Sequence, residues 1–492
     1  MKKSIRFFAL LLALLMLAGS FAACNKDKEN GDSGEANQTQ PDGTVATTEG
    51  AYISKLPEDL DWGGEEYLVL GQNTNGNAQW ENFEISYDEL PSDIVGRAVW
   101  DRNDAIKQKY NVIIKKELAT QSHTHIQSYL ATNEDKYDMV LYQLEGVFSH
   151  AETGYLHDLT TINYVDFNHP AWNQYTLEQL TFGSTIFCAT GDFNLQNKRH
   201  LTGVFYNREM ARDAGDGYLE DLVYNNQWTL DKFNSLAKAY AADTSGNGTK
   251  GDEADTFGVV GDKGDFLYYA AGAGYRASTV TNGQLAMAGA SDSTLNILEK
   301  VGEVYFDTQT RFITENVKPL DYYRSLNIFN DGRALFICGG ITGVDLSFAD
   351  LSFEYGFLPT PKYDSNQEKF YSQVNPIYSS ICAIPKTVMD TDFAGFGLEA
   401  LMEYSTETSL NAFVEEKCKL QDSFDQRMSD MFDLVFENPV YDLAIVGDFG
   451  NLRSIMMSRL PDTKNASRYA KLYNDNVENA EEEVQDVMNA FS

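Results

Sequence analysis

Three short apolar segments, separated by stretches with helical periodicity, limit the fold of this chain more than any other feature. The segments are Tyr67–Leu70, Val112–Ile114 and Tyr137–Tyr142. Residues 93–110, between the first two, place apolar side chains along one face of a helix with charged residues between them. Strands that alternate with amphipathic helices predict a βαβαβ unit, in which helices cover a parallel sheet.

The same alternation continues along the chain and indicates an α/β protein. A helix is predicted from its N-cap Thr229 to about residue 242, and residues 392–492 are predicted to be mainly helical. No internal repeat is visible, and the 492 residues fit two or three lobes, of which we favour two. Further strands are predicted at 185–189, 203–206, 334–338, 355–358 and 380–384.

The N-terminus carries the pattern of a bacterial export signal. Basic residues precede the apolar segment 7–17, which is too short to span a bilayer as a stable helix. Phe21-Ala22-Ala23-Cys24 resembles a lipobox, in which the cysteine receives a diacylglycerol, although an aliphatic residue is usual in the first position. We predict a signal peptide at 1–23 and a lipid anchor on Cys24. An ordinary cleavable signal with a chance cysteine is the alternative.

Residues 24–54 contain almost no large apolar side chains, so we expect a disordered tether that leads to the folded body. No other apolar stretch of spanning length occurs, and the lipid is expected to be the only membrane contact. The formal net charge of −35 argues against nucleic-acid binding and against lying flat on anionic lipid.

Motifs of the common enzyme classes are absent from the sequence. There is no G-x-S-x-G, no H-E-x-x-H and no P-loop, and the histidines form no catalytic or metal set. The cysteines beyond Cys24 form no C-x-x-C motif, which argues against zinc, and their state is left open. We therefore do not expect an enzyme. These cysteines are Cys188, Cys338, Cys382 and Cys418.

A series of short motifs spans residues 60 to 445. The motifs are Asp61-Trp62-Gly63-Gly64, Arg102-Asn103, Tyr110-Asn111-Val112, Tyr137-Asp138-Met139-Val140, Gly154-Tyr155-Leu156-His157-Asp158-Leu159, Pro170-Ala171-Trp172, Phe205-Tyr206-Asn207-Arg208, Trp228-Thr229-Leu230-Asp231-Lys232-Phe233, Tyr355-Gly356-Phe357-Leu358-Pro359-Thr360-Pro361-Lys362, Gln367-Glu368 and Asn438-Pro439-Val440-Tyr441-Asp442. In this order, behind a lipobox, the chain resembles the extracellular solute-binding proteins of family 1. These are the carbohydrate receptors of ABC importers, and the resemblance is greatest to their large clostridial lipoproteins.

The resemblance implies a two-lobed type II periplasmic-binding-protein fold with a hinge and an inter-lobe ligand cleft. By similarity, one lobe would contain 55–191 and 358–405, and the other 192–357 and 406–492. A ligand that touches both lobes would stabilise the closed state, which an ABC permease recognises. The implied protein is a monomeric receptor for a mono- or oligosaccharide, anchored by lipid at the outer face of the cytoplasmic membrane.

A sugar cleft needs aromatic rings that stack on sugar faces and planar polar side chains that bind hydroxyl groups. In open α/β sheets such groups lie beyond the carboxyl ends of the strands. Trp80 and Asn375 are weaker candidates by these criteria. The main candidate ligand-binding residues are Gln72, Asn73, Tyr142, Gln143, Trp172, Asp192, Gly339 and Gly340.

Residues 243–255 resemble the start of a calcium loop, because oxygen-bearing side chains alternate along them and Gly248 holds the sixth position. The twelfth position is Ala254, so the usual bidentate glutamate is missing unless a neighbour replaces it. A polar turn is the alternative to this structural calcium site. The candidate ligands are Asp243, Ser245, Asn247, Thr249 and Glu253.

Two other functions stay open on the sequence alone. A secreted lipoprotein glycoside hydrolase would need two carboxylates that flank a scissile bond, and 73 acidic residues offer many chance pairs. The same receptor fold would bind a peptide or a polyamine if acidic side chains were concentrated in its cleft. Aromatic and amide side chains there would favour a sugar.

Overall fold

The computed structural model describes residues 54–73, 80–120, 122–144, 146–148, 154–343, 348 and 351–490. The predicted signal peptide, the lipidation site Cys24 and the predicted tether up to residue 53 lie outside the described residues. None of the helices in the described part of the chain has both the length and the apolar character that crossing a membrane would require.

The strands are numbered in chain order. They are β1 Glu65–Gln72, β2 Val112–Ala119, β3 Met139–Gln143, β4 Thr202–Asn207, β5 Phe257–Gly261, β6 Ser278–Thr281, β7 Gln284–Met287, β8 Arg311–Ile313, β9 Ala334–Gly340, β10 Tyr355–Pro359, β11 Ser372–Gln373, β12 Ser380–Ala383 and β13 Pro439–Val440.

Helices connect and cover these strands. The longer α-helices are Ile94–Tyr110, Ser122–Leu130, Leu230–Tyr240, Asp265–Gly272, Asp292–Tyr305, Thr391–Ser405, Gln426–Glu437 and Val477–Ala490. The shorter α-helices are Gln174–Leu180, Leu195–Arg199, Arg208–Asp213, Glu220–Tyr224, Arg324–Asn330, Leu443–Val446, Leu452–Ser454, Leu460–Thr463 and Tyr469–Asn474. Segments Thr406–Leu410, Ala412–Gln421 and Ile455–Arg459 are π-helical. The 3₁₀ helices are Leu159–Thr161, Thr314–Asn316, Phe449–Asn451 and Ala466–Arg468.

The first sheet confirms the predicted βαβαβ unit. Its strand order is β12-β3-β1-β2, in which β1 is parallel to β2 and β3, and β12 is antiparallel to β3. Helices Ile94–Tyr110 and Ser122–Leu130 connect the parallel strands. Asp93 caps the first of them, because its carboxylate accepts from the backbone N–H of Gly96 at 2.8 Å.

The second sheet has the strand order β10-β4-β9-β5-β8. Strand β5 is parallel to β8 and β9, whereas β4 is antiparallel to both of its neighbours. The carboxyl ends of β5, β8, β9 and β10 therefore lie at one edge of the sheet. The predicted helix on this sheet is confirmed at Leu230–Tyr240, and Thr229 is its N-cap.

Two chain segments join the sheets. The first crossing segment leaves the first sheet at Ala189, which pairs with Cys382 of β12, and reaches β4 after Leu201. The second crossing segment leaves β10 at residue 359, pairs with Leu201 through Val374, and enters β12. We call the first sheet with its helices the first lobe, and the second sheet with its helices the second lobe. The residue boundaries predicted for the lobes stay a prediction.

The strand predicted at 185–189 is not formed. Only isolated bridges occur there, at Thr185 and Ala189. The apolar residues of this segment are buried beside β12 of the first sheet, where Ala189 pairs with Cys382, and burial rather than continuous strand pairing accounts for its composition.

Each lobe has close contacts between a helix and a strand. In the first lobe, a Cβ on Gly397 of helix Thr391–Ser405 would lie 2.0 Å from the ring of Tyr67 in β1. In the second lobe, a Cβ on Gly258 of β5 would lie 1.9 Å from the carbonyl oxygen of Ala237. Both positions therefore require glycine, since no side chain fits between the packed elements.

The four cysteines beyond Cys24 are buried free thiols in this structure. Burial raises the pKa of the thiols of Cys188, Cys338 and Cys382. They pack as small apolar side chains.

Candidate functional site

Residues from strand ends of both lobes meet at the crossing segments. Gln72, the last residue of β1, donates from Nε2 to the backbone oxygen of Tyr378 at 2.6 Å. Gly340, the last residue of β9, pairs with Thr202, and a Cβ on it would lie 3.5 Å from the Cα of His200. Tyr378 and His200 belong to the two crossing segments, so β1 and β9 end around one place. Open α/β sheets bind ligands at such strand ends.

Trp80, Tyr378 and His200 form an aromatic cluster at this place. The rings of Trp80 and Tyr378 are stacked, with centroids 3.9 Å apart and 22° between their planes. The centroids of Trp80 and His200 are 5.1 Å apart. Trp80 and Tyr378 are half-buried, whereas His200 is buried. The stacked pair therefore presents flat apolar surface on which a sugar ring can stack.

The turn 375–378 fixes the position of the Tyr378 ring. The side-chain oxygen of Asn375 accepts from the backbone N–H of Ile377 at 2.9 Å and of Tyr378 at 3.0 Å. The backbone N–H of Asn375 donates to the carbonyl oxygen of His200 at 3.3 Å. Pro376 follows Asn375, and both residue types favour turns. One local motif thus places two members of the aromatic cluster.

A buried polar network holds the strand ends together. Asn82 accepts from the backbone N–H of Gln72 at 2.8 Å and donates to Ser380 Oγ at 2.9 Å. Asn197, in the first crossing segment, accepts from the backbone N–H of Ser380 at 2.8 Å. Glu84 accepts from Asn82 at 3.2 Å, and burial raises the pKa of Glu84 to about 7. Buried networks of this kind lose stability when one member is removed, so they fix the geometry around the site.

Tyr268 brings a ring of the second lobe towards the aromatic cluster. It lies in helix Asp265–Gly272, which follows the carboxyl end of β5. Its side chain is 8% exposed, and its hydroxyl makes no hydrogen bond within the described residues. Burial is the main cause that raises the pKa of Tyr268, and a smaller contribution comes from Tyr378. The helix of Tyr268 begins at the sheet edge where β9 also ends, beside His200, so Tyr268 lies on the same side of the second sheet as the aromatic cluster.

A buried ion pair fixes the start of the helix that carries Tyr268. Arg311 donates to the carboxylate of Asp265 at 2.8 Å, and that carboxylate also accepts from the backbone N–H of Asp262 at 3.0 Å. Burial raises the pKa of Asp265 to about 7, although the charge of Arg311 opposes the shift. The carboxylate is therefore engaged in the protein structure rather than open to a cationic ligand.

Four of the predicted ligand-binding residues lie at the converging strand ends. Gln72 and Gln143 are buried at the ends of β1 and β3. Gly339 and Gly340 are half-buried at the end of β9. The weaker candidate Trp80 lies in the aromatic cluster itself. Their contact with a ligand stays a prediction.

Two other candidates, Trp172 and Tyr142, are core residues of the first lobe. The Trp172 side chain is 1% exposed, and its indole N–H donates to Glu399 at 3.0 Å. Tyr142 is fully buried within β3. Rings buried to this extent present no surface to a ligand, and the position of Tyr142 in the apolar strand β3 reflects packing.

Asp192 and Asn73 lie near the crossing segments in different surroundings. The carboxylate of Asp192 accepts from Thr406 Oγ1 at 2.8 Å, and burial raises the pKa of Asp192. Asn73 is half-buried directly after β1, and its backbone forms an isolated bridge with Glu81. Asp192 is thus engaged with the helical segment that follows residue 405, while Asn73 begins the loop that leads to Trp80.

Sequence reasoning did not select Tyr378, His200 or Tyr268. The criterion applied was the carboxyl end of a parallel strand, whereas His200 and Tyr378 precede the antiparallel strands β4 and β12. The amino end of an antiparallel strand lies at the same sheet edge as the carboxyl ends of its neighbours. Residues that precede antiparallel strands can therefore line the same site.

The predicted calcium loop is held by its own hydrogen bonds. The carboxylate of Asp243 accepts from the backbone N–H groups at positions 246 and 248, each at 2.7 Å. Ser245 Oγ donates to Asp243 at 3.2 Å, and the hydroxyl of Thr249 donates to Asn247 at 2.8 Å. This is the pattern of a polar turn, in which the loop satisfies its own oxygen atoms.

Glu253, the last of the predicted calcium ligands, pairs instead with Arg324 at 2.6 Å. Across the described residues no three or more His, Cys, Asp or Glu side chains are grouped so that they could hold a metal ion. The donor set needed for calcium is therefore not assembled in this conformation. A structural calcium ion stays a prediction, and a calcium titration of the thermal unfolding temperature would test it.

No family model matches the chain, and no curated protein sequence matches it. Solved structures do match. The cyclic alpha-maltosyl-1,6-maltose binding protein of Arthrobacter globiformis has a TM-score of 0.54 at 16% identity, over 86% of this chain and 98% of that protein. A cyclo/maltodextrin-binding protein complexed with maltotetraose has a TM-score of 0.53 at 11% identity, over 86% and 96%. An ABC transporter solute-binding protein from Thermotoga lettingae, bound with alpha-D-tagatose, has a TM-score of 0.52 at 14% identity, over 85% and 100%.

At these identities the likeness shows the fold. The two sheets, their crossing segments and the coverage of nearly the whole length of each solved protein agree with one architecture. The chain has the two-lobed α/β fold of the periplasmic binding proteins, as predicted from its sequence.

Proposed function

We propose that this chain binds a mono- or oligosaccharide between its lobes and delivers it to an ABC import permease. The observation that carries the proposal is the half-buried stack of Trp80 on Tyr378, which lies where strand ends of the two lobes meet. The stack offers a flat apolar face, and amide side chains such as Gln72 and Gln143 lie at the neighbouring strand ends. Rings together with amides are the groups that a neutral sugar requires.

The solved proteins of the same fold support the saccharide class. The three named above bind or hold a cyclic maltosyl-maltose, maltotetraose and alpha-D-tagatose. All three are binding proteins, in agreement with the expectation that this chain is not an enzyme.

The two lobes would close because the ligand contacts both. Trp80 and Tyr378 would hold one face of the sugar from the side of the first lobe, and Tyr268 would approach from the second. The Tyr268 hydroxyl has no hydrogen-bond partner in the described structure, so it can bind a sugar hydroxyl without breaking an existing bond. A ligand shifts the lobes towards closure by the contacts that it gains only in the closed state.

A peptide, a polyamine or a glycosidase reaction would each require available carboxylates. The three carboxylates described above around the strand ends are engaged: Glu84 with Asn82, Asp265 with Arg311 and Asp192 with Thr406. These observations favour the neutral sugar over the two alternatives.

The lipid anchor and the permease partner belong to the same proposal. A diacylglycerol on Cys24, followed by a tether to residue 54, would hold the receptor at the outer face of the cytoplasmic membrane. There the receptor would be within reach of its permease. A Cys24→Ala variant should be secreted into the medium, and its retention in the membrane fraction would contradict the anchor.

A thermal-shift screen tests the binding function. The purified chain is heated with mono- and oligosaccharides, amino acids, short peptides and polyamines, each alone. A ligand at about 100 times its Kd adds about 2.7 kcal/mol of stability, which raises the unfolding temperature measurably. We expect one saccharide class to raise it, and the Trp80→Ala variant to lose most of the rise.

Each other outcome changes the conclusion in a defined way. A rise with a peptide or polyamine and with no saccharide would preserve the receptor fold but refute the sugar. Hydrolysis of the stabilising saccharide during incubation, followed by chromatography, would identify an enzyme and refute the receptor function.

A further inference from the structure

A second concave site lies on the outer side of the first lobe, between helix Ile94–Tyr110 and the beginning of β2. We call it the outer groove, and it encloses about 240 Å³. The residues that matter here are Ser86, Tyr87, Asp88, Trp100, Asp104 and Lys107.

The outer groove is separate from the aromatic cluster. Its wall includes Ile113 and Ile114, near the amino end of β2, whereas the cluster lies beyond the carboxyl ends of the parallel strands. The strand from Ile114 to Ala119 alone covers about 17 Å. A small ligand in the groove could not touch Trp80 or Tyr378 at the same time.

Trp100 differs from the other tryptophans that the structure describes. Trp172 and Trp228 are buried and donate their N–H groups to buried acceptors. Trp62 and Trp80 contact other aromatic rings. Trp100 is half-buried, and within the described residues it makes neither a hydrogen bond nor an aromatic contact. Its ring and its N–H are therefore both open to the groove.

Tyr87 supplies a second ring, and polar groups surround the pair. The Tyr87 hydroxyl makes no hydrogen bond within the described part of the chain, and Ser86 makes none through its side chain. Asp88 and Lys107 are exposed and form no ion pair among the described residues. The carboxylate of Asp104 accepts from Gln108 at 2.5 Å.

The charges in the outer groove carry both signs, which favours a neutral ligand with many hydroxyl groups. An anion would be repelled by the two aspartates and a cation by Lys107, whereas sugar hydroxyls both donate to carboxylates and accept from an ammonium group. Trp100 adds stacking surface, and so does the part of the Tyr87 ring that is not covered by Lys116, whose ammonium group lies 5.2 Å from the ring centroid. The volume is below the range of about 300–1,000 Å³ that encloses drug-sized ligands, so it suits a single sugar ring or the end of a glycan.

We infer that the outer groove is a second saccharide-binding site, in which Trp100 and Tyr87 hold one sugar ring. The inference goes beyond the proposed transport function and does not depend on it. A receptor with such a site would hold the end of a glycan on its surface while its cleft stays free.

The test uses fluorine NMR of the full chain labelled with 5-fluorotryptophan, which reports on its five tryptophans separately. Trp100→Phe and Trp80→Phe variants assign the two relevant resonances. The probes are maltose, cellobiose and N,N′-diacetylchitobiose, each added to about 20 mM, which would populate a site with a Kd of about 5 mM to about 80%. We expect at least one of them to shift the Trp100 resonance.

Variants separate the outer groove from the cleft. The shift of Trp100 should persist in Trp80→Ala and disappear in Tyr87→Ala, while Asp101→Asn, an exposed change on the same helix outside the groove, should keep it. Unchanged resonances of the other tryptophans confirm that each variant is folded.

The inference is overturned if none of the three sugars moves the Trp100 resonance. It is also overturned if the shift needs an intact Trp80 or survives the loss of the Tyr87 ring. A shift of Trp80 alone would support the transport receptor and refute the second site.

Discussion

Replacing Trp80 by alanine should weaken saccharide binding about 30-fold. The indole is stacked on Tyr378 with centroids 3.9 Å apart and also contacts His200, yet it is only half-buried, so part of the ring stays open to a ligand. A sugar ring stacked on that part would remove roughly 80 Å² of apolar surface from water, worth about 2 kcal/mol at about 25 cal/mol per Å². A loss of about 2 kcal/mol corresponds to a Kd about 30 times higher.

The same substitution should have a smaller effect on the protein without ligand. It removes the stacked pair with Tyr378 and the tilted contact with His200, and an aromatic pair contributes about 0.5–1.5 kcal/mol beyond the buried area. The unfolding temperature of the free protein should therefore fall by a few degrees, while the loss of affinity is larger. Isothermal titration calorimetry with the saccharide from the thermal screen measures the affinity, and urea unfolding measures the stability.

Trp172→Phe is the matched control, because it also removes an indole from the first lobe. Glu399 would lose the indole N–H that donates to it at 3.0 Å. The free protein should lose about 1–3 kcal/mol of stability, because the buried acceptor is left with one donor fewer. Its Kd for the saccharide should stay within about threefold of the parent. Equal losses of affinity in the two variants, or an unchanged Kd in Trp80→Ala, would refute the assignment of the aromatic cluster to the ligand.

Three further predictions concern stability, and urea unfolding measures each. Arg208→Met should lower the free energy of unfolding by about 3–5 kcal/mol, because it leaves the buried carboxylate of Glu220 without its cation. Arg212→Met, an exposed change on the same helix, should have little effect. Equal losses of stability in the two variants would contradict this explanation. Burial raises the pKa of Glu399 from 4.5 to about 7 in the folded protein. Because the carboxyl group ionises more readily in the unfolded chain, the free energy of unfolding should fall as pH rises between these values. Glu399→Gln should thus be more stable than the parent above pH ~7, by up to about 3 kcal/mol, and should lose this advantage below pH ~4.5. A stability difference that does not change with pH would refute the raised pKa of Glu399. Gly258→Ala should lower the free energy of unfolding by about 1–3 kcal/mol, because its Cβ would lie 1.9 Å from a backbone oxygen of the helix packed on β5. An unchanged urea midpoint would show that the helix can move away from β5.

Local patterns in the sequence were sufficient for much of the fold. The βαβαβ unit followed from apolar segments that are buried on both faces, and Thr229 was recognisable as an N-cap because capping depends only on the next three residues. The strand predicted at 185–189 was not formed, since a buried segment without continuous strand pairing has the same composition as a buried strand.

The candidate site was predicted only in part, because long-range contacts decide which side chains face the gap between the lobes. Gln72 meets Tyr378 although 306 positions separate them. Trp172 lies in the core, where its indole N–H donates to Glu399, a residue 227 positions away in the sequence. No local pattern distinguishes the half-buried ring of Trp80 from the buried ring of Trp172, because both follow polar segments and both precede helices or turns.

The crossing segments do not run separately between the lobes. Leu201 of the first pairs with Val374 of the second, and Val374 in turn donates to Val440 of β13 at 3.3 Å. Chains that share hydrogen bonds in this way bend together and resist independent twisting. We therefore expect the lobes to move relative to each other mainly by rotation about one axis through the paired segments. Under the proposed function, a permease would then need to distinguish only the angle between the lobes, whichever sugar is bound.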